Sequence, residues 1–225
     1  GAIFSLVAAG VTIVYGCVWL PNASNGQFFL LASLVAWTFT ASLGWSSWLA
    51  AIAVIVLGIG LSYLLEWILI RRLYDTPNRN VAYFVVTLGM TQIMTGIFSL
   101  TYAKWSDQFS LPPVVDGISM LGPFPLSNNR LLVMVVSLFV LVALFALLRY
   151  HPYGRALRAV FQNREAAALR GVDVRSIYRL SFVLGSTIIF LGGILFALAY
   201  SFDLTVAWTM SITAFAIMII GGPGS

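Results

Sequence analysis

Seven stretches of this chain are almost entirely apolar: roughly 1–20, 28–43, 48–70, 81–102, 131–148, 180–200 and 208–220. A helix that crosses a bilayer needs about 20 mostly apolar residues. The pattern therefore predicts six or seven spans in an all-α, polytopic membrane protein, with residues 1–225 forming a single domain. The first stretch has no basic n-region and no evident cleavage site, so it reads as a span and not as a signal peptide. The last stretch is short for a span and stops just before Ser225, which suggests that the natural chain continues. Between the first two stretches, LPNASNGQ (20–27) is polar. Two readings stay open for it: a simple loop, or a break in a helix whose freed backbone groups face a cavity.

One stretch differs in texture. VAYFVVTLGMTQIMTGIFSLTYA (81–103) places Thr87, Thr91, Thr95 and Ser99 four residues apart, with Gln92 and Gly96 close by. That spacing makes one stripe on a helix. Such a stripe either lines a passage for a zwitterionic solute or forms a packing seam, since hydroxyl residues gather where membrane helices meet. Ser181, Gly185, Gly192 and Gly193 in the sixth span read as a packing seam. Glu66, beside Arg71 and Arg72, reads as a snorkelling or paired carboxylate at the end of a span.

Composition sharpens the class. Only 8% of residues are charged and 60% are hydrophobic, against about 25% charged in soluble domains; a water-soluble fold is excluded. The net charge of +5 does not indicate nucleic acid, because of where it sits. Of twelve Lys and Arg residues, seven lie in 149–179 and three in the loop RRLYDTPNRN (71–80); Lys104 and Arg130 flank the loop 103–130. Basic residues favour cytoplasmic loops, so 71–80 and the segment 150–178 are expected inside and the loop 103–130 outside. Tyr102 and Trp105 suit an interfacial aromatic belt. A single cysteine, Cys17, rules out an intramolecular disulfide. The lone histidine, His151, offers no metal site, and no Ser/His/Asp or Cys/His set points to catalysis.

The charged island RYHPYGRALRAVFQNREAAALRGVDVRSIYR (149–179) has helical order written into it. Pro152 and Gly154 end the preceding span. Residues 155–162 have helix-forming composition, with Leu157, Val160 and Phe161 on one side. Asn163 is a good N-cap, Glu165 suits the first turn, and Gly171 fits a stop that needs positive φ. Asp173 is placed to cap the next span. On residues alone, this is either an amphipathic loop joining two spans or a docking surface.

Glu165-Ala166-Ala167, followed after three residues by Gly171, resembles the EAA…G motif of permease subunits in ATP-binding-cassette importers. The wider stretch GRALRAVFQNREAAALRGVDV is similar to the branched-chain amino acid permeases, specifically the shorter of their two permease subunits. GVTIVYG (10–16), VTLG (86–89), SFVLGS (181–186) and GGPGS (221–225) extend the resemblance along nearly the whole chain. It implies a coupling helix that fits a groove on an ATPase subunit, with Arg155, Arg158, Asn163, Arg164, Glu165, Ala166, Ala167 and Gly171 at that contact.

The resemblance also implies the partners: two nucleotide-binding ATPase subunits carrying ATP and magnesium, a second permease subunit, an extracytoplasmic solute-binding protein docking on the outer loop, and the plasma membrane of a prokaryote. The chain itself is expected to hold no cofactor and no ATPase site. A phosphate loop needs Gly-x-x-x-x-Gly-Lys-Ser/Thr, and the only lysine, Lys104, precedes Trp105. The family usually carries Asn-Phe-Ala-His-Gly after its first helix, where residues 22–26 here read Asn-Ala-Ser-Asn-Gly; Pro223 stands for a leucine in the terminal motif. Asn22, Asn25, Gly26, Thr87, Thr91, Gln92 and Thr95 are the candidates for a substrate route. An ion-coupled transporter would instead call for an acidic residue deep in a span, for which Glu66 is poorly placed; a non-transporting scaffold is the third possibility.

Overall fold

The computed structural model describes residues 1–18, 22–74, 78–105, 108–121 and 124–221. Its helices are α1 (Ala2–Val18), α2 (Asn25–Leu43), α3 (Ser47–Leu65), α4 (Arg79–Tyr102), α5 (Asn128–Tyr150), α6 (Pro152–Gln162), α7 (Arg164–Leu169), α8 (Val174–Ala199) and α9 (Val206–Gly221). α3 runs on through a π-turn, Glu66–Ile70, and a tighter 3₁₀ turn, Arg71–Leu73. Five helices are long and apolar enough to cross a membrane: α2, α3 with its extension, α4, α5 and α8; α1 and α9 are shorter apolar helices. Each of the seven apolar stretches thus became a helix. The protein is a polytopic α-helical membrane protein.

α8 is the centre of the bundle, packed against α1, α2, α3, α5, α6 and α7, while α9 packs on α1 and α2. Helices in lipid gain little from hydrophobic burial against one another, so close backbone approach has to supply the attraction. Small residues on α8 make it possible. A Cβ on Gly185 would run into the Gly10 carbonyl and Val14, and one on Gly192 into Val7, so α1 and α8 cross tightly and antiparallel. A Cβ on Gly193 would meet the Phe29 carbonyl, and the Ser33 hydroxyl donates to the Gly193 carbonyl at 2.9 Å. Phe28 stacks on Phe190 at 5.8 Å between ring centres. By contrast, the outward faces of α3, α4 and α5 expose Ile52, Val56, Val85, Ile97, Val135 and Phe139, as a surface in contact with lipid or another subunit would.

The two ends differ. The helices α6 and α7 lie at the end rich in arginine. At the other, a hairpin pairs Ile118–Leu121 with Phe124–Ser127, in the register Ile118 opposite Ser127 and Ser119 opposite Leu126. The sequence pattern marked only an outer loop, 103–130, here, because strands of four residues leave no readable alternation. The hairpin is anchored through Asn129, whose side chain accepts from the Val114 amide at 3.1 Å and donates to the Leu198 carbonyl. Phe109 and Phe202 exchange backbone hydrogen bonds of 2.7 and 2.9 Å, and their rings stack beside Trp37. Trp105 joins the same aromatic cluster. Asp107, Pro123 and the terminal residues 222–225 lie outside the described residues, as do Leu20 and Pro21 of the first polar break.

The α8 seam yields a direct expectation. Gly193→Val forces α2 and α8 apart at a backbone-to-backbone contact, at a cost of about 1–3 kcal/mol. The measurement is the thermal midpoint of the detergent-solubilised protein, which falls; an unchanged midpoint would show that the seam tolerates a side chain.

Candidate functional site: a polar helix start and a charged helical segment

The open question about residues 20–27 has a clear answer for the described part. α2 does not begin at a membrane surface. α4 spans Val81–Tyr102, and the start of α2 bonds to its middle. The Ser24 hydroxyl donates to the Thr87 carbonyl at 2.7 Å, and the Ala23 amide approaches the Thr87 hydroxyl at 3.4 Å. One turn further, Gln27 Nε2 donates to the Thr95 hydroxyl at 3.3 Å. Thr91 is ten residues along the span, or about 15 Å at 1.5 Å per residue, half of a core about 30 Å thick. α2 then runs parallel to α4, reaching Tyr102, whose hydroxyl lies 2.9 Å from that of Thr38. α2 therefore presents its amino terminus at mid-span of α4.

That terminus is dense in buried polar groups. Asn22, Ser24, Asn25 and Gln27 are each no more than 2% exposed. Asn22 Oδ1 accepts the Ser24 amide at 3.0 Å. Gly26 is pressed so close to α9 that a Cβ would strike the Ala207 carbonyl, and its amide donates to the Ser211 hydroxyl at 3.0 Å. At this terminus four side-chain atoms have no partner among the described residues: Asn22 Nδ2, Asn25 Nδ2, Asn25 Oδ1 and Gln27 Oε1. Buried polar atoms are nearly always paired, which makes this cluster the candidate site.

The candidates divide cleanly. Asn22, Asn25, Gly26, Thr87, Thr91 and Thr95 come together, with Thr95 half-buried. Gln92 does not join them. It is exposed on another side of α4, as are Gly96 and Ser99: at about 100° per residue Gln92 and Gly96 turn away from Thr91 and Thr95, and four-residue steps overshoot a turn by about 40°, so the line has drifted about 120° by Ser99. Two members were missed by sequence reading, Ser24 and Ser211. Ser211 stands among other hydroxyls of α9, Thr209 and Thr213, so nothing in the order of residues singled it out.

At the arginine-rich end, the local grammar of the island is realised in detail. His151 caps α6, its Nδ1 accepting the Tyr153 amide at 3.2 Å, and Pro152 occupies the first turn. Leu157 and Val160 are buried while Arg155 and Arg158 point outward. Asn163 Oδ1 accepts the amides of Glu165 and Ala166, each at 3.0 Å. α7 ends at Gly171 with φ of 83°, where its amide donates to Ala168 at 2.9 Å and that of Val172 to Ala167 at 3.1 Å. Arg164, Glu165 and Ala166 are exposed. Ala167 is not: it is 4% exposed and belongs to the inward face. Arg158 also donates to the Leu148 carbonyl at the end of α5. Leu169, 90% exposed, is the apolar projection that sequence reading passed over, since it resembles a core residue of a short helix.

This end is tied to the bundle. The hydroxyls of Tyr153 and Ser181 lie 2.7 Å apart, joining α6 to α8. A Cβ on Gly16 would overlap the Phe161 ring, so α1 rests on α6. Glu66 is 1% exposed and its Oε1 accepts the Tyr74 hydroxyl at 3.1 Å, while its Oε2 has no partner among the described residues. No group of three or more His, Cys, Asp or Glu side chains suited to a metal occurs among the described residues.

Asp173 caps α8, accepting the Ser176 hydroxyl at 2.6 Å and the amides of Arg175 and Ser176 at 3.1 and 3.2 Å. The hydrogen bonds from Ser176, above all that of its hydroxyl, hold the carboxyl below its ordinary range. A depressed carboxylate stabilises the fold above its unfolded-state pKa and loses that contribution as pH falls through the folded value. Amide exchange at Arg175 and Ser176, corrected for intrinsic rate, is therefore better protected in the wild type than in Asp173→Asn at pH 7. The difference vanishes in acid; a pH-independent difference would contradict the assignment.

Comparison with known proteins gives this geometry its family. A family model described as branched-chain amino acid transport system / permease component matches residues 1–225. The chain is similar to the high-affinity branched-chain amino acid transport system permease protein LivH of Escherichia coli, at 26% identity over all of this chain and 76% of that protein. Its likeness to BraD of Pseudomonas aeruginosa is the same, 26% over all of this chain and 76% of that protein. A probable LivH of Methanocaldococcus jannaschii is 26% identical over 96% of this chain and 69% of its own. No solved structure matches the chain. With a family model covering the whole chain, this protein belongs to the branched-chain amino acid permease family, the membrane-spanning subunits of ATP-binding-cassette importers.

Proposed function

We propose that the chain carries a branched-chain or related small amino acid inward across the plasma membrane of a prokaryote, and that the polar start of α2 lies on the route. The observation that carries this reading is the set of unpartnered, buried carboxamides at mid-span, in a family of amino acid permeases. Two partner ATPases bind ATP and magnesium and dock on α6 and α7. A second permease subunit, alike or different, completes the membrane part, and a solute-binding protein delivers the cargo at the hairpin end. The arginine-rich end is cytoplasmic on this reading, in keeping with the charge asymmetry.

Docking is supported by the form of the segment. Arg155, Arg164 and Glu165 offer charges, Leu169 an apolar knob, and Ala166 a low surface between them. The double cap at Asn163 and Gly171 fixes α7 as a short rigid block, and Asp173 starts α8 two residues later. Motion imposed on α7 thus passes into the helix that packs against α1 and α2. Nucleotide and cargo each favour one arrangement of the bundle, and transport is the resulting shift of population.

Gly171→Val places a β-branched residue at positive φ, a strain of about 1–2 kcal/mol. It is expected to lower ATP-driven leucine uptake into proteoliposomes at least tenfold while the membrane bundle stays folded. Co-purification of a nucleotide-binding subunit with the wild type, weakened in Glu165→Arg with Gly171→Val, is the companion measurement. Normal uptake in the variants would remove the coupling role.

A further inference from the structure

The polarity of the buried carboxamides says more than their presence. Asn22 Oδ1 is occupied by the Ser24 amide, so the free group of Asn22 is its N–H donor. At Gln27 the assignment is equally constrained. The Thr95 hydroxyl donates its proton to the Thr91 carbonyl at 2.8 Å, leaving only lone pairs for Gln27. Gln27 must therefore turn its Nε2 to Thr95, and its free group is the Oε1 acceptor. Asn25, between them, has both a free donor and a free acceptor. The series runs from donor at Asn22, just ahead of α2, through donor-acceptor at Asn25 to acceptor at Gln27 in its first turn.

The helix itself reinforces the donor end. An α-helix carries roughly half a positive charge at its amino terminus, and here that end lies near the middle of the span. None of the residues in this network, Asn22, Ser24, Asn25, Gln27, Thr87, Thr91, Thr95 and Ser211, bears a formal charge. An ion of net charge brought here would pay heavily in desolvation, whereas a ligand with both signs, each matched by its own groups, would not.

We infer that the first turn of α2 is a binding site for an α-amino acid in its zwitterionic form. Asn22 and Asn25 donate their side-chain N–H groups to the α-carboxylate at the helix terminus. Gln27 Oε1 and Asn25 Oδ1 accept from the α-ammonium. The side chain of the ligand takes no part in this recognition, so the site selects for a balanced charge pair and leaves size selection to other surfaces. The inference rests on the reading of the cargo as an amino acid and adds the atoms that hold it.

The test uses the purified transporter complex without its solute-binding protein, so that selectivity upstream does not enter. Radiolabelled leucine is bound at equilibrium and displaced by leucinol, which lacks the carboxylate, or by 4-methylpentanoate, which lacks the ammonium. Each is expected to compete at least tenfold less well than leucine. Asn22→Asp, which sets an anion against the carboxylate, is expected to weaken leucine at least tenfold. Gln27→Glu, which adds a charge facing the ammonium, is expected to bind leucinol several-fold better than the wild type does. A gain of that kind cannot arise from misfolding. Equal competition by all three compounds, or wild-type affinities in both variants, overturns the inference. Leucine uptake by the complete transporter is measured beside it. Uptake without such discrimination in binding overturns the site alone, while a complete transporter that carries another solute and no leucine overturns the amino acid reading and the site with it.

Discussion

Hydrocarbon offers no hydrogen bonds, so every polar atom at membrane depth needs a partner or a purpose. The start of α2 is where unpartnered buried side-chain atoms are most concentrated among the described residues. α2 begins in mid-span, and its first turn spends part of its hydrogen-bonding capacity on α4 and α9 and leaves the remainder open. Such a start is possible only because neighbouring helices enclose it. Gly26 lets α9 come to backbone contact, and Gly193 does the same for α8. Without those glycines the helices would stand off and α2 would begin in lipid.

The same central helix links this turn to the arginine-rich end. α8 holds α2 through Gly193 and Ser33, α1 through Gly185 and Gly192, and α6 through Ser181 and Tyr153. α6 in turn supports α1 through Phe161 and Gly16. In the proposed importer, a push on α7 from an ATPase need not travel through flexible loops. These contacts would give the push a continuous path from α7 to the polar turn, over the length of one helix.

Much of this was legible from residue order. Capping residues state their role locally, so Asn163, Gly171 and Asp173 could be assigned from neighbours within three positions, and each does what its chemistry suggested. The seven apolar stretches became seven helices for the same reason: length and composition suffice. What failed depended on tertiary direction. The four-residue recurrence of Thr87, Thr91 and Thr95 marked a face correctly, yet which neighbours shared it was a matter of α4's rotation against α2, and Gln92 fell on the other side. Ala167 was grouped with Ala166 as a contact surface, but adjacent residues on a helix point about 100° apart, and only packing against α8 shows which one turns inward. The hairpin was too short to carry a pattern, and Ser211 met Gly26 across 185 residues of chain.

The central claim is that the start of α2 lies on a route opened alternately to the two sides of the membrane. The most direct measurement replaces Ala23 with cysteine in a Cys17→Ala background and follows its reaction with a membrane-impermeant thiol reagent, applied from either side of proteoliposomes holding the complete transporter. The account expects reaction from one side only, with the accessible side exchanging when a non-hydrolysable ATP analogue is bound. A position 23 thiol that stays unreactive from both sides in every nucleotide state would contradict it.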